Sequence, residues 1–69
     1  MIMKIFGERL KELRIEKGLK QSEVAKALNI SSIALLHYEK NQREPSFDLL
    51  VDIAKYFNTS LDYLFGLID

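Results

Sequence analysis

Apolar residues recur along this chain at three- and four-residue intervals, and no stretch alternates apolar and polar with a period of two. That spacing suits helices with one buried stripe and argues against strands. Five helices are predicted, each closed by local punctuation. The first spans about residues 5–17, carries Phe6, Leu10 and Leu13 on one stripe, and stops at Gly18, which can take a left-handed cap. The second spans about residues 21–28 and turns Val24, Ala25 and Leu28 inward. The third spans about residues 32–40. The fourth starts at Ser46, a good N-cap behind Pro45, and runs to Phe57 with Phe47, Leu50, Val51, Ala54 and Phe57 inward. The fifth follows the cap candidates Thr59 and Ser60, brings Leu61, Leu64 and Phe65 to the core, and ends at Gly66.

Helices two and three are joined only by Asn29-Ile30-Ser31. So short a joint forces a tight bend. Asn tolerates a positive φ better than most residues, Ile30 can plug the corner, and Ser31 can cap the next helix. This is helix-turn-helix spacing, although spacing alone also fits any αα-corner.

The third helix is apolar on two sides. With Ser32 at zero and about 100° per residue, Ile33, Leu36, His37 and Lys40 fall within an arc of about 140°. Ala34, Leu35, Tyr38 and Glu39 fall opposite. Whichever side packs, the other leaves large apolar side chains in water, which solubility alone does not favour.

Composition narrows the picture. Sixty-nine residues make one domain over 1–69, near the lower limit for a self-sufficient core. There is no cysteine and a single histidine, so neither a disulfide nor an ordinary zinc site is expected. The formal net charge is zero, but it is segregated. Residues 1–43 hold nine Lys/Arg against five Asp/Glu, a net of +4; residues 44–69 hold one Lys against five Asp/Glu, a net of −4. Such asymmetry points to a polyanionic partner, while its plainer reading is two solvated surfaces. No apolar run reaches the ~18 residues that span a bilayer. The start, Met1 to Phe6, is too short for a signal-peptide core, so a cytoplasmic protein is expected, with no membrane association.

Nothing in the chain assembles a catalytic constellation. His37 has no second His or Cys to share a metal. Ser31 and Ser32 have no base at a facing helical spacing. The ten carboxylates read as caps and solvated faces, and Gly7, Gly18 and Gly66 form no phosphate-cradling loop. No enzyme activity, cofactor or small-molecule substrate is expected.

Longer motifs add a resemblance. They are Phe6-Gly7-Glu8-Arg9-Leu10-Lys11-Glu12-Leu13-Arg14 and Lys17-Gly18-Leu19-Lys20-Gln21-Ser22-Glu23-Val24-Ala25, then Leu28-Asn29-Ile30-Ser31, Tyr38-Glu39 and Pro45-Ser46, and finally Asn58-Thr59-Ser60-Leu61-Asp62-Tyr63-Leu64-Phe65-Gly66. Across about residues 5–66 the chain resembles the phage repressor and Cro family, the Xre-type helix-turn-helix domains. The resemblance implies an all-α, compact five-helix, lambda-repressor-like fold that binds duplex DNA and regulates transcription, as a repressor. It implies that the third helix lies in the major groove with Leu35, Tyr38 and Glu39 inward. Base contacts would then come from Ser32, Ile33, Leu36 and His37, with Ile33 and Leu36 against thymine methyl groups. Phosphate contacts would come from Gln21, Ser31, Lys40, Asn41 and Arg43. Arg14 and Glu39 match an ion pair that links the first helix to the third. The chain departs from the family at Lys20, where a capping Ser or Thr is usual, and at Asn29, where Gly is usual. Its reading surface is also more apolar than the family's norm.

The tail after Tyr63 is more apolar than a free end requires. The plainer reading has Leu64 and Phe65 complete the core and the rest fray; the favoured one has Tyr63, Leu67 and Ile68 meet a second copy, whose two-fold would match a palindromic operator with half-sites about 34 Å apart. The rival from another class is a protein-interaction module, such as an antitoxin or anti-regulator that grips a protein through Ile33 and Leu36. Segregated charge favours DNA.

Overall fold

The computed structural model describes the backbone of residues 2–69 and the side chains of residues 5–69. The expectation drawn from Met1 to Phe6 therefore falls largely outside the described residues. Five helices follow in order: α1 (Ile2–Glu16), α2 (Gln21–Ala27), α3 (Ser32–Glu39), α4 (Phe47–Tyr56) and α5 (Leu61–Leu64). There is no strand among the described residues. α1 runs along α3 and α5, α2 crosses α3, and α4 rests on α5.

Serine side chains start α3, α4 and α5. Ser31, Ser46 and Ser60 accept from the backbone N–H groups of Ala34, Leu49 and Tyr63 at 3.0, 3.1 and 3.0 Å. Each hydroxyl satisfies one of the orphan donors at its helix start. Lys20 has no acceptor to offer α2, so only half of a capping box forms there: Glu23 Oε1 accepts from Lys20 N at 2.8 Å.

The far ends are alike. Gly18, Asn29, Asn41, Asn58 and Gly66 all sit at positive φ, between 53° and 76°. The residue after each donates its N–H to a carbonyl five residues back: Leu19 to Arg14, Ile30 to Ala25, Gln42 to His37, Thr59 to Ala54 and Leu67 to Asp62. All five helices therefore end in a Schellman motif. Asn29 takes the left-handed conformation that the tight corner demands, and Ile30 packs half-buried against the core.

The core joins Phe6 and Leu10 of α1, Val24 and Ala25 of α2, Leu35 and Tyr38 of α3, Leu49, Leu50 and Ile53 of α4, and Leu64 of α5, together with the helix-end residues Leu28 and Phe57. Phe6 and Phe65 meet with ring centroids 6.3 Å apart. Full burial of each large apolar side chain is worth about 1.5–3 kcal/mol relative to exposure.

One expectation is corrected. Phe47 was assigned to the inner face of α4, but it is 68% exposed, and Leu49 and Ile53 are buried instead. The helix is rolled about 80° from the expected orientation, reckoned at about 100° per residue. α4 is apolar around more than half its circumference, so periodicity permits either roll.

Candidate nucleic-acid interface

Burial resolves the two-sided apolarity of α3. Leu35, Tyr38 and Glu39 are buried, whereas Ser32 and Ile33 are exposed and Leu36 and His37 half-buried. Ile33 is 69% exposed, although nothing about solubility calls for a β-branched apolar side chain there. Ser32, Ile33, Leu36 and His37 thus share one solvent-facing side of a two-turn helix. Lys40 and Arg43, both exposed, follow immediately at its end.

The buried side of α3 carries an unusual group for a core this small. The Glu39 side chain is 2% exposed and is fully engaged. Its Oε2 accepts from Arg14 Nε at 2.6 Å, and its Oε1 accepts from Arg14 Nη2 and Gln21 Nε2, both at 3.1 Å. Arg14 Nη1 also donates to the Leu19 carbonyl at 3.0 Å. One carboxylate therefore ties α3 to α1 and α2 at once, through a forked guanidinium whose planar geometry fixes direction as well as distance. Buried carboxylates need such partners, because desolvation disfavours the charge.

Gln21 was expected to meet phosphate, and part of its amide is instead drawn to Glu39, leaving it half-buried. Ser31 Oγ accepts from Ala34 N and is exposed, so its hydroxyl proton can still point outward. Asn41 was likewise expected to meet phosphate. Its Oδ1 accepts from Gly7 N of α1 at 3.1 Å, so this side-chain oxygen is turned into the fold. A Cβ built on Gly7 would lie 2.5–2.7 Å from three atoms of the Asn41 amide. Sequence reading missed this contact. Its trace was the glycine itself: in mid-helix it costs about 1 kcal/mol relative to Ala and marks a close approach.

Away from α3, the tail is tethered by Arg9. Arg9 Nη1 donates to the carbonyls of Tyr63 and Ile68 at 2.6 and 2.7 Å, and the guanidinium carbon lies 4.2 Å from the centre of the Tyr63 ring. Leu67 and Ile68 remain 64% and 52% exposed, while Tyr63 is half-buried. Among the described residues no group of three or more metal-ligating side chains comes together, and no helix is long and apolar enough to cross a membrane.

Comparison with known proteins agrees with this geometry. The family model for helix-turn-helix proteins matches residues 10–64. The chain is 43% identical over 60 residues to the HTH-type transcriptional regulator ImmR of Bacillus subtilis, covering 87% of this chain and 47% of that protein. It spans about half the length of the regulators it matches in sequence. Among solved structures, the P22 c2 repressor in complex with a synthetic operator superposes with a TM-score of 0.81 at 29% identity, covering 86% of this chain and 89% of that one. The restriction-modification controller protein C.AhdI of Aeromonas hydrophila gives 0.81 at 29% identity, covering 90% and 94%.

Proposed function

The chain belongs to the helix-turn-helix family, and on that premise we propose that it is a sequence-specific, duplex-DNA-binding transcriptional regulator acting as a repressor. The observation that carries the reading is the outward side of α3. Ser32, Ile33, Leu36 and His37 face solvent together while Leu35, Tyr38 and Glu39 anchor the helix beneath them. In the major groove such a ridge offers apolar contacts for thymine methyl groups, a hydroxyl for a base edge or phosphate, and an imidazole for a guanine acceptor. Lys40 and Arg43 supply phosphate contacts at one end, and Ser31 and Gln21 at the other. The likeness to a repressor superposed in its operator-bound form supports both the partner and the sense of regulation.

We propose that the chain acts as a homodimer through Leu67, Ile68 and the edge of Tyr63. This reading gives it no catalytic step and places it in the cytoplasm with the DNA.

Selection of binding sites from random duplexes, followed by gel shift, tests the reading. His37→Ala is expected to cost about 1–3 kcal/mol at particular bases. Arg43→Ala should weaken binding to all sequences alike and lower the salt slope by about 1. If neither substitution alters affinity, the contact assignment is wrong. The exposed Ile33 beside a half-buried Leu36 favours one rival, a protein-gripping module. Retention on a protein partner with no salt-dependent retention on DNA would decide for that rival.

A further inference from the structure

We infer that Asn41 is a positioning residue for the reading helix: it holds the α3 end against Gly7 of α1 and so fixes the placement of His37 and Leu36. The inference rests on the DNA-binding reading above and deepens it. Two structural features meet at this residue. Its backbone ends α3, with φ at 60°, Asn41 N donating to the Tyr38 carbonyl at 3.1 Å and Gln42 N to the His37 carbonyl at 2.9 Å. Its side chain reaches across to α1, where Oδ1 accepts from Gly7 N and the amide plane lies where a Cβ would otherwise stand. The turn that carries His37 is thereby bonded to Asn41, and Asn41 is seated on a glycine that is itself buried.

Two other anchors hold α3, one of them in the same last turn. Glu39 holds the buried face, and Ser31 holds the start. Asn41 adds a further tie just past Glu39, joining the end of the helix to Gly7 of α1. A tilt of about 10° about the Ser32 end would move the His37 backbone by about 1.3 Å, given a rise of about 1.5 Å per residue. Recognition groups need placement within about 0.5 Å to work. A pin at Asn41 is therefore worth selectivity even though Asn41 need touch no base.

Asn41→Gly isolates the side chain, because glycine keeps the left-handed stop that α3 requires. The probes are two duplexes, one recovered by selection from random sequence and one scrambled. The variant should unfold cooperatively and bind the scrambled duplex as the unaltered chain does, with the same salt slope. Its preference for the selected duplex should fall about fivefold, the low end of what one good base contact supplies. Gly7→Ala expels the same amide from the side away from DNA and should lower the preference equally. In the free variants, the amides of Lys40, Asn41 and Gln42 should exchange faster while those of α5 do not change.

A parallel loss on both duplexes with a salt slope lower by about one would make Asn41 a phosphate contact and overturn the inference. An unchanged preference in folded Asn41→Gly, or unchanged exchange at the α3 end, would overturn it equally. Failure of the unaltered chain to bind either duplex would overturn the DNA-binding reading itself, and the exchange measurement, which needs no DNA, tells the two failures apart.

Discussion

Replacing Arg14 by Met should strongly destabilise this protein, and replacing Glu39 by Met as well should restore it. In the unaltered chain the Arg14 guanidinium makes two of the three hydrogen bonds that Glu39 accepts, at 2.6 and 3.1 Å. The carboxylate is 2% exposed and Arg14 only 12%, so solvent screens the pair little. Removing the cation strands a buried charge, which typically costs about 3–5 kcal/mol. A domain of this length has about 3–10 kcal/mol of total stability, at about 0.05–0.15 kcal/mol per residue. Between about a third and all of it would be lost. With a urea m-value of about 1 kcal/mol/M, the midpoint should fall by about 3 M or more. Glu39→Met alone should cost less, because Arg14 keeps the Leu19 carbonyl and can extend its head toward water. The double variant exchanges the pair for apolar side chains of similar reach and should return to within about 1 kcal/mol of the original. Urea titrations followed by circular dichroism complete the cycle. A single Arg14→Met loss below about 1 kcal/mol, or a double variant no more stable than Arg14→Met, would show that the carboxylate does not depend on its cation.

Three further outcomes are expected. Ile53→Ala should cost about 2–5 kcal/mol by urea titration, whereas Phe47→Ala should stay within about 0.5 kcal/mol; the reverse order would contradict the roll of α4. Asn58→Ala should lower stability by about 1–2 kcal/mol, since Ala resists the left-handed conformation, and Asn58→Gly should not; equal melting temperatures for the two would refute a conformational role. Leu67→Glu and Ile68→Glu together should convert the proposed dimer to monomer in sedimentation without changing the fold, and an unchanged mass would move the contact elsewhere.

How far the chain could be read without coordinates depended on whether the governing forces were local. Helix starts at Ser31, Ser46 and Ser60 and stops at Gly18, Asn29 and Gly66 were legible because a cap is decided by one residue and its immediate neighbours. The roll of α4 was not, since Phe47, Leu50, Val51 and Ala54 make as good a stripe as Leu49, Leu50, Ile53 and Phe57. What chooses between them is the surface that α5 and the remaining core offer, which no single segment carries. The outward side of α3 was ambiguous for the same reason, and only the resemblance favoured the orientation that burial of Leu35 and Tyr38 now shows. The Gly7–Asn41 contact lay furthest from view. It joins residues 34 positions apart, and a glycine gives little hint of what leans against it.

The uniform helix endings bear on how the chain can fold and change. A stop made by one left-handed residue and two backbone bonds needs no help from the rest of the molecule, so segment lengths are set before any docking begins. A chain emerging residue by residue can close each segment as it appears, and assembly then amounts to joining pieces of fixed size. Lengthening the connection after such a stop should leave the pieces on either side intact. Moving the stop itself by one residue would instead swing everything downstream by about 100° about the helix axis. Substitutions that shift those five positions are thus the ones this architecture is least able to absorb.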